Sequence, residues 1–188
     1  MQDTNRQQLL ILDIDETLLH SSEEPLAWPC DFQVFSYYVH KRPHLDRFLT
    51  QVMEWFDVAV WSSSGESYAA LVVRQVFEAP ARLKFVWARN RCTHHVDEET
   101  HEAYWRKDLK KVKRVGYALE RVLVIDDSPE KHARSYGNLV RVTPFAGDPA
   151  DTELADLLPV LDWLRTVENV RTVEKRDWRL RFPSSREA

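Results

Sequence analysis

The sequence predicts an α/β fold built on a mostly parallel sheet. Three observations carry this. Short continuous apolar runs alternate with stretches of helical periodicity, as strands buried on both faces alternate with the helices that cover them. Three of the runs end in small polar clusters, and the strands of an open parallel sheet bind ligands outside their carboxyl ends. The 188 residues, 44% of them hydrophobic and 30% charged, are enough for one domain with a substantial core.

The elements follow in order. Leu9-Leu10-Ile11-Leu12 is the first strand. Residues 20–41 are mixed, aromatic and proline-containing, and read as a hairpin or flap. Pro43 suits a first helical turn, and Leu45, Phe48, Leu49, Val52 and Phe56 then follow helical spacing. Asp57-Val58-Ala59-Val60-Trp61 is the second main strand, and Tyr68, Leu71, Val72 and Val76 form the next helical stripe. Leu83-Lys84-Phe85-Val86-Trp87 is a third strand, followed by a polar, His-rich insertion over 88–106. Residues 121–125 form a fourth strand and 139–142 a weaker fifth. Leu154, Leu157, Leu158, Leu161 and Leu164 mark a last helix, in which Pro159 predicts a kink or two abutting helices. Residues 1–170 are thus expected to form a single domain carrying the flap and the insertion. The basic tail, 171–188, is expected to be a final helix or a loose end.

Composition excludes several classes. The net charge of −4 argues against bulk electrostatic binding to nucleic acid or to an anionic membrane. No apolar stretch approaches the ~20 residues needed to span a bilayer. Residues 1–8 lack the apolar core of a signal peptide. Two cysteines, Cys30 and Cys92, make no disulfide framework. The expected location is therefore cytoplasmic, or nuclear in a eukaryote.

The chemistry sits at the strand ends. The first strand runs into Asp13-Ile14-Asp15-Glu16-Thr17, the second into Ser62-Ser63-Ser64-Gly65, and the fourth into Asp126-Asp127-Ser128-Pro129. Four carboxylates (Asp13, Asp15, Asp126, Asp127) converging on one edge repel one another, and a divalent cation relieves this. Hard oxygen donors with room for water and a phosphate oxygen describe a Mg²⁺ site. Asp13 directly follows the strand and is placed to act as nucleophile. Asp15, two residues on and on the same side, is placed to protonate a leaving oxygen and then activate water. Thr17 continues that side and could orient Asp15. The bland alternative is that these residues cap a turn. However, D-x-D-x-T directly after four apolar residues arises by chance in roughly 0.2% of such chains. Ser62, with Ser63 and nearby backbone N–H groups, reads as an anion site or a helix cap. Lys107 reads as a phosphate-neutralising lysine or as a solvated one. His94, His95 and His101 lack zinc spacing and read as a surface loop.

Taken together, these motifs resemble the haloacid dehalogenase (HAD) superfamily. Within it they look most like the phosphatases of the RNA polymerase II C-terminal domain, also called NLI-interacting-factor-like phosphatases. Further matching segments are Lys41-Arg42-Pro43-His44-Leu45, Arg106-Lys107-Asp108-Leu109, Asp151-Thr152-Glu153-Leu154 and Leu157-Leu158-Pro159. The resemblance implies a three-layer Rossmann-like sheet of HAD type, with a small flap and short insertion and no large cap domain. It implies Asp13 as the nucleophile that becomes phosphoaspartate and Asp15 as general acid/base, lending its backbone carbonyl to Mg²⁺. It further implies Ser62 and Lys107 as holders of the phosphoryl group, Asp126 and Asp127 as the metal-side pair, and Arg89 as a substrate contact. The activity implied is a Mg²⁺-dependent phosphatase acting on phosphorylated protein or peptide. Phosphorylated nucleic-acid ends or metabolites are the second reading, and a non-catalytic binding module the third. Neither the flap nor the insertion reaches the ~50 residues of an independent cap, so an open site is expected. Trp28, Phe35, Tyr37 and Tyr38 either meet peptide or anchor the flap.

Overall fold

The computed structural model describes residues 7–97 and 101–182. In chain order the strands and helices are β1 (Leu9–Leu12), β2 (Leu19–Ser22), β3 (Phe32–Val34), β4 (Tyr37–Lys41), α1 (Leu45–Trp55), β5 (Asp57–Trp61) and α2 (Glu66–Val76). They continue with β6 (Val86–Trp87), β7 (Thr93–Val96), β8 (Ala103–Arg106), α3 (Lys110–Arg114), β9 (Val122–Asp126), β10 (Leu139–Arg141), α4 (Glu153–Leu164) and α5 (Trp178–Arg181).

The expected parallel sheet is present, in the order β10-β9-β1-β5-β6, with β1 at its centre. All four residues of β1 and all five of β5 and β9 are buried, which is why these strands read as unbroken apolar runs. Alternation still sorts them. Leu10, Leu12, Val58, Val60, Leu123 and Ile125 join the larger core under α1, α2 and α4. Leu9, Ile11, Ala59, Trp61, Val122 and Val124 face the other way, onto Leu109 and Val112 of the α3 region and onto Trp87 and Tyr117. The second outer layer is therefore slim: among the described residues the one α-helix contributing to this smaller core, α3, has five residues.

Residues 20–41 form the flap as an antiparallel sheet, β2-β4-β3. The 88–106 insertion closes as the β7–β8 hairpin, pairing His94 with Trp105 and His95 with Tyr104. Adjacent histidines thus point to opposite faces, and residues 98–100 of this segment lie outside the described residues. Gly147 lets the chain pass the flap closely. Its φ is +91°, and a Cβ there would lie 2.5 Å from Leu26 Cδ1.

Three expectations change. Of the two alternatives at Pro159, abutting helices do not form: α4 runs unbroken from Glu153 to Leu164. The Pro159 ring is on the exposed side, where water can satisfy the carbonyl it leaves unpaired. Pro43 precedes α1 instead of sitting in its first turn, with His44 as N-cap at φ +67°. Of the third strand only Val86 and Trp87 stand as ladder partners of β5, although the Lys84 N–H donates to the Val58 carbonyl at 2.8 Å and the Phe85 carbonyl accepts from the Val60 N–H at 3.0 Å. The tail is docked over its described part. Trp178 is buried in the main core, and its indole N–H donates to the Arg141 carbonyl at 2.9 Å. Residues 183–188 lie outside the described residues.

Candidate active site

Strand parity places the acids. Leu12 stands opposite Val60 on one side and Ile125 on the other. The next residues, Asp13 and Asp126, therefore emerge side by side at the carboxyl edge. Both share the face of Leu9, Ile11, Val122 and Val124, where α3 and the hairpin pack. That face is also where Lys107 arrives, between β8 and α3. Lys107 Nζ lies 2.8 Å from Asp13 Oδ1 and 2.6 Å from Asp126 Oδ2, and all three side chains are buried.

The turn after β9 brings further donors onto both acids. Ser128 N–H reaches Asp126 Oδ1 at 2.9 Å, and His132 Nε2 lies 2.9 Å from Asp126 Oδ2. Lys131 Nζ lies 3.4 Å from Asp13 Oδ2. Asp127 accepts from Ser128 Oγ at 3.0 Å and from Thr17 Oγ1 at 3.4 Å. Burial opposes the charge on Asp126, but Lys107, His132 and Lys131 outweigh it and hold Asp126 well below the usual carboxylate range. Asp13 goes the other way: burial first, then Asp126, lift it to about 6 against the pull of both lysines. Burial and Asp126 also raise Asp127. Burial opposes the charge on Lys107 too, but Asp126 and Asp13 raise its pKa and keep it charged.

Carboxylate oxygens of Asp13, Asp126 and Asp127 lie within 4.8 Å of one another. An all-oxygen set of buried and half-buried carboxylates fits a hard divalent metal ion. Asp15 does not join them by its carboxylate, so the expected convergence of four becomes three. Asp15 Oδ2 accepts from Ser64 Oγ at 2.6 Å and more weakly from Ser62 Oγ at 3.4 Å. Asp15 Oδ1 accepts from Tyr68 OH at 2.7 Å, and Tyr68 OH is 2.6 Å from Ser21 Oγ on the flap. Burial and Asp15 push the Tyr68 phenol up. The loop holding Asp15 is strained: Glu16 has φ +56°, a left-handed conformation that non-glycine residues adopt at some cost. Burial, then Asp15, Asp127 and Asp13, raise the Glu16 carboxyl to about 7.

Beside Asp15 opens a cleft of about 370 Å³, lined by Glu16, Ser64, Tyr68, Phe35, Tyr37 and Arg89. Of the flap aromatics, Tyr37 packs edge-on to Tyr68 at 6.1 Å and against the main core, whereas Phe35 is 64% exposed at the cleft. Arg89 Nε donates to the Ser63 carbonyl at 2.7 Å, and its guanidinium lies over Trp105.

The local geometry expected around Thr17 and Ser62 needs correction in detail. Thr17 bonds to Asp127 and not to Asp15. Extended-chain parity fails there because the chain turns at Ile14, whose carbonyl accepts from the N–H of Leu18. Ser62 does not open a helix: α2 starts at Glu66, and the Ser62 hydroxyl accepts from Ser64 N–H at 2.9 Å. Ser63 contributes its carbonyl to the contact with Arg89. Lys131, His132, Ser64, Tyr68 and Arg42 were not anticipated at or behind the site. Arg42 is buried, with a bidentate pair to Asp151 at 2.9 and 2.8 Å and a bond to the Thr17 carbonyl at 3.1 Å. The matching segments held both its residues, but no spacing rule joins positions 109 residues apart.

Comparison with known proteins agrees with this geometry. The family model for NLI interacting factor-like phosphatases matches residues 8–171. The CTD nuclear envelope phosphatase 1 homolog of Drosophila melanogaster is 33% identical over 190 residues, covering 93% of this chain and 74% of that one. Nuclear envelope morphology protein 1 of Saccharomyces cerevisiae is 29% identical, with 90% of this chain and 42% of that one covered. Among solved structures, that of Fcp1, an essential RNA polymerase II CTD phosphatase, matches with a TM-score of 0.57 at 18% identity, over 85% of this chain and 48% of that one. At that identity the likeness shows the shared HAD fold. The cytoplasmic location expected from composition is overturned by the relatives' names, which point to the nuclear envelope. No helix among the described residues is long and apolar enough to cross a membrane. The chain belongs to the NLI interacting factor-like phosphatases and is a phosphoric monoester hydrolase of HAD type.

Proposed function

We propose that the chain is a Mg²⁺-dependent phosphoprotein phosphatase working through a phosphoaspartate on Asp13. The carrying observation is the pairing of Asp13 with the buried Lys107 while Asp15, two residues on, is held separately by Ser64 and Tyr68. One carboxylate is set in a cationic, desolvated position and the other in a hydrogen-bonded one, as nucleophile and acid/base require. Asp13, Asp126 and Asp127, with the Asp15 backbone carbonyl, would hold the cation. Bound there, Mg²⁺ supplies charge stabilisation to the equatorial phosphoryl oxygens and keeps Asp13 ionised.

Asp13 attacks phosphorus in line with the leaving oxygen, while Lys107 and the Ser62 hydroxyl balance the charge on the transferring group. Asp15 gives its proton to that oxygen and later takes one from the water that clears the phosphoaspartate. The Tyr68 hydroxyl suits both states. It donates to ionised Asp15, and it can accept from protonated Asp15 while donating to Ser21, without moving a heavy atom.

A phosphorylated protein side chain fits the open cleft better than a metabolite that must be enclosed. Phe35 and Arg89 at the rim offer contacts beyond the phosphate. The relatives' names, CTD phosphatases among them, support the same class. The test is kcat/KM on phosphoserine and phosphothreonine peptides against the matching free phosphoamino acids and sugar and nucleotide phosphates, with Mg²⁺ and with chelator. A peptide preference that vanishes in chelator is expected. Equal values for peptide and free amino acid, or full turnover in chelator, would refute the reading.

A further inference from the structure

Two lysines divide the oxygens of Asp13 and Asp126 between them. Lys107 Nζ faces Asp13 Oδ1 and Asp126 Oδ2, at 2.8 and 2.6 Å. Lys131 Nζ faces the other oxygen of each, Asp13 Oδ2 at 3.4 Å and Asp126 Oδ1 at 3.9 Å. The oxygens that Lys107 leaves for a cation are therefore the ones Lys131 faces, and Asp126 Oδ1 also accepts from the Ser128 N–H at 2.9 Å. The placement of Lys131 is fixed by the backbone. The Lys107 N–H donates to the Lys131 carbonyl at 2.9 Å, and the next residue, His132, is anchored on Asp126.

The two ammonium groups differ in freedom. Lys107 is sealed, with its side chain 1% exposed and short contacts on both sides. Lys131 reaches the site from the rim, 17% exposed, with contacts too long for strong charge-assisted hydrogen bonds. A flexible four-carbon stem at the solvent boundary can swing its charge into water, giving up its attraction to Asp13, Asp126 and Asp127. Three carboxylates this close need positive charge before any cation arrives. Two ammonium groups offset two of the three negative charges, so a divalent cation gains less here than at a bare triad.

We propose that Lys131 is an internal counter-ion of the metal site, displaced by the incoming cation, and that it sets how much free cation the phosphatase needs. The inference rests on reading Asp13, Asp126 and Asp127 as a cation site. Lys131 acts through the carboxylates and is a positioning residue.

The test is calorimetric titration of Mg²⁺ into chelator-treated wild type, Lys131→Met and Lys131→Gln, with thermal unfolding of each protein with and without saturating Mg²⁺. Both variants are expected to bind Mg²⁺ at least tenfold more tightly. Both should also lose Tm without the cation and regain it when loaded. Equal Mg²⁺ affinity in all three proteins overturns the proposal and leaves the cation site standing. An equal Tm loss with and without Mg²⁺ also overturns it, since Lys131 would then be a structural residue only. Absence of Mg²⁺ binding in all three overturns both the proposal and the metal-dependent reading.

Discussion

Replacing the proposed nucleophile should stabilise the cation-free protein while abolishing turnover. Asp13 is fully buried among Asp126, Lys107 and Lys131, and its carboxyl stands at about 6 against an ordinary 3.8. Burial and Asp126 thus outweigh both lysines, so the ionised form is on balance unfavourable in the fold. The distance from 3.8 to about 6 corresponds to about 3 kcal/mol. The sign follows from proton linkage. Between pH 3.8 and about 6 the folded state binds more protons at Asp13 than the unfolded chain does, so this group's contribution falls as pH rises through that window. Above pH 6 the full penalty is present. Asp13→Asn removes it, since the amide keeps the shape without the charge.

The assay is urea unfolding of wild type and Asp13→Asn in chelator, from pH 4 to pH 8. The variant should gain little near pH 4, and its advantage should grow through pH 6 to a plateau of up to about 3 kcal/mol. With Mg²⁺ the order should narrow or reverse, because the cation rewards the Asp13 charge that the apo fold penalises. Phosphatase activity of the variant should be undetectable under every condition. A variant less stable than wild type at pH 7.5 in chelator would refute the reasoning, by showing that the two lysine pairs outweigh burial and Asp126. Retained turnover would refute Asp13 as nucleophile.

Asp15→Asn should slow an alkyl phosphate far more than an aryl phosphate, because only the poor leaving group needs the proton; equal losses on the two would count against the acid role. Tyr68→Phe, which removes one of the two short bonds to Asp15, should lower kcat about tenfold with the same leaving-group bias, read from the same substrate pair. Asp151→Ala leaves the Arg42 guanidinium buried without its bidentate partner and should cost about 3 kcal/mol in urea unfolding. Lys175 is buried and burial lowers it to about 8, so stability should rise with pH between about 8 and 10.5, where the unfolded chain binds the extra proton. The gain should fall short of about 3 kcal/mol, because the Val170 and Val173 carbonyls accept from its ammonium, and Lys175→Met should flatten it.

What the sequence made legible was what strand geometry and local chemistry repeat. Apolar runs at 9–12, 57–61 and 121–125 read as buried strands because the sheet is covered on both faces, and their polar ends converge because the strands run parallel. Asp13 and Asp126 were thus readable as neighbours from the strand ends alone. Lys131 was not. It lies in a single 3-10 turn over Pro129–His132, and its aim depends on the backbone bond to Lys107, 24 residues earlier. Thr17 was misread for a related reason: period-two alternation holds to Asp13 and ends at Ile14, where the chain folds back on itself. Tyr68 looked like one more apolar position of the α2 stripe, and its ring does pack there against Tyr37. Its hydroxyl is what reaches Asp15, and periodicity records the ring and not the hydroxyl. Lys131 and Tyr68 share one property: each is a long or amphipathic side chain whose polar tip acts away from its stem or ring. For this chain those tips bear on the two proposed catalytic carboxylates in opposite ways. Lys131 competes for the oxygens of Asp13 that a cation must use, and Tyr68 fixes the carboxylate of Asp15 without competing for any ligand.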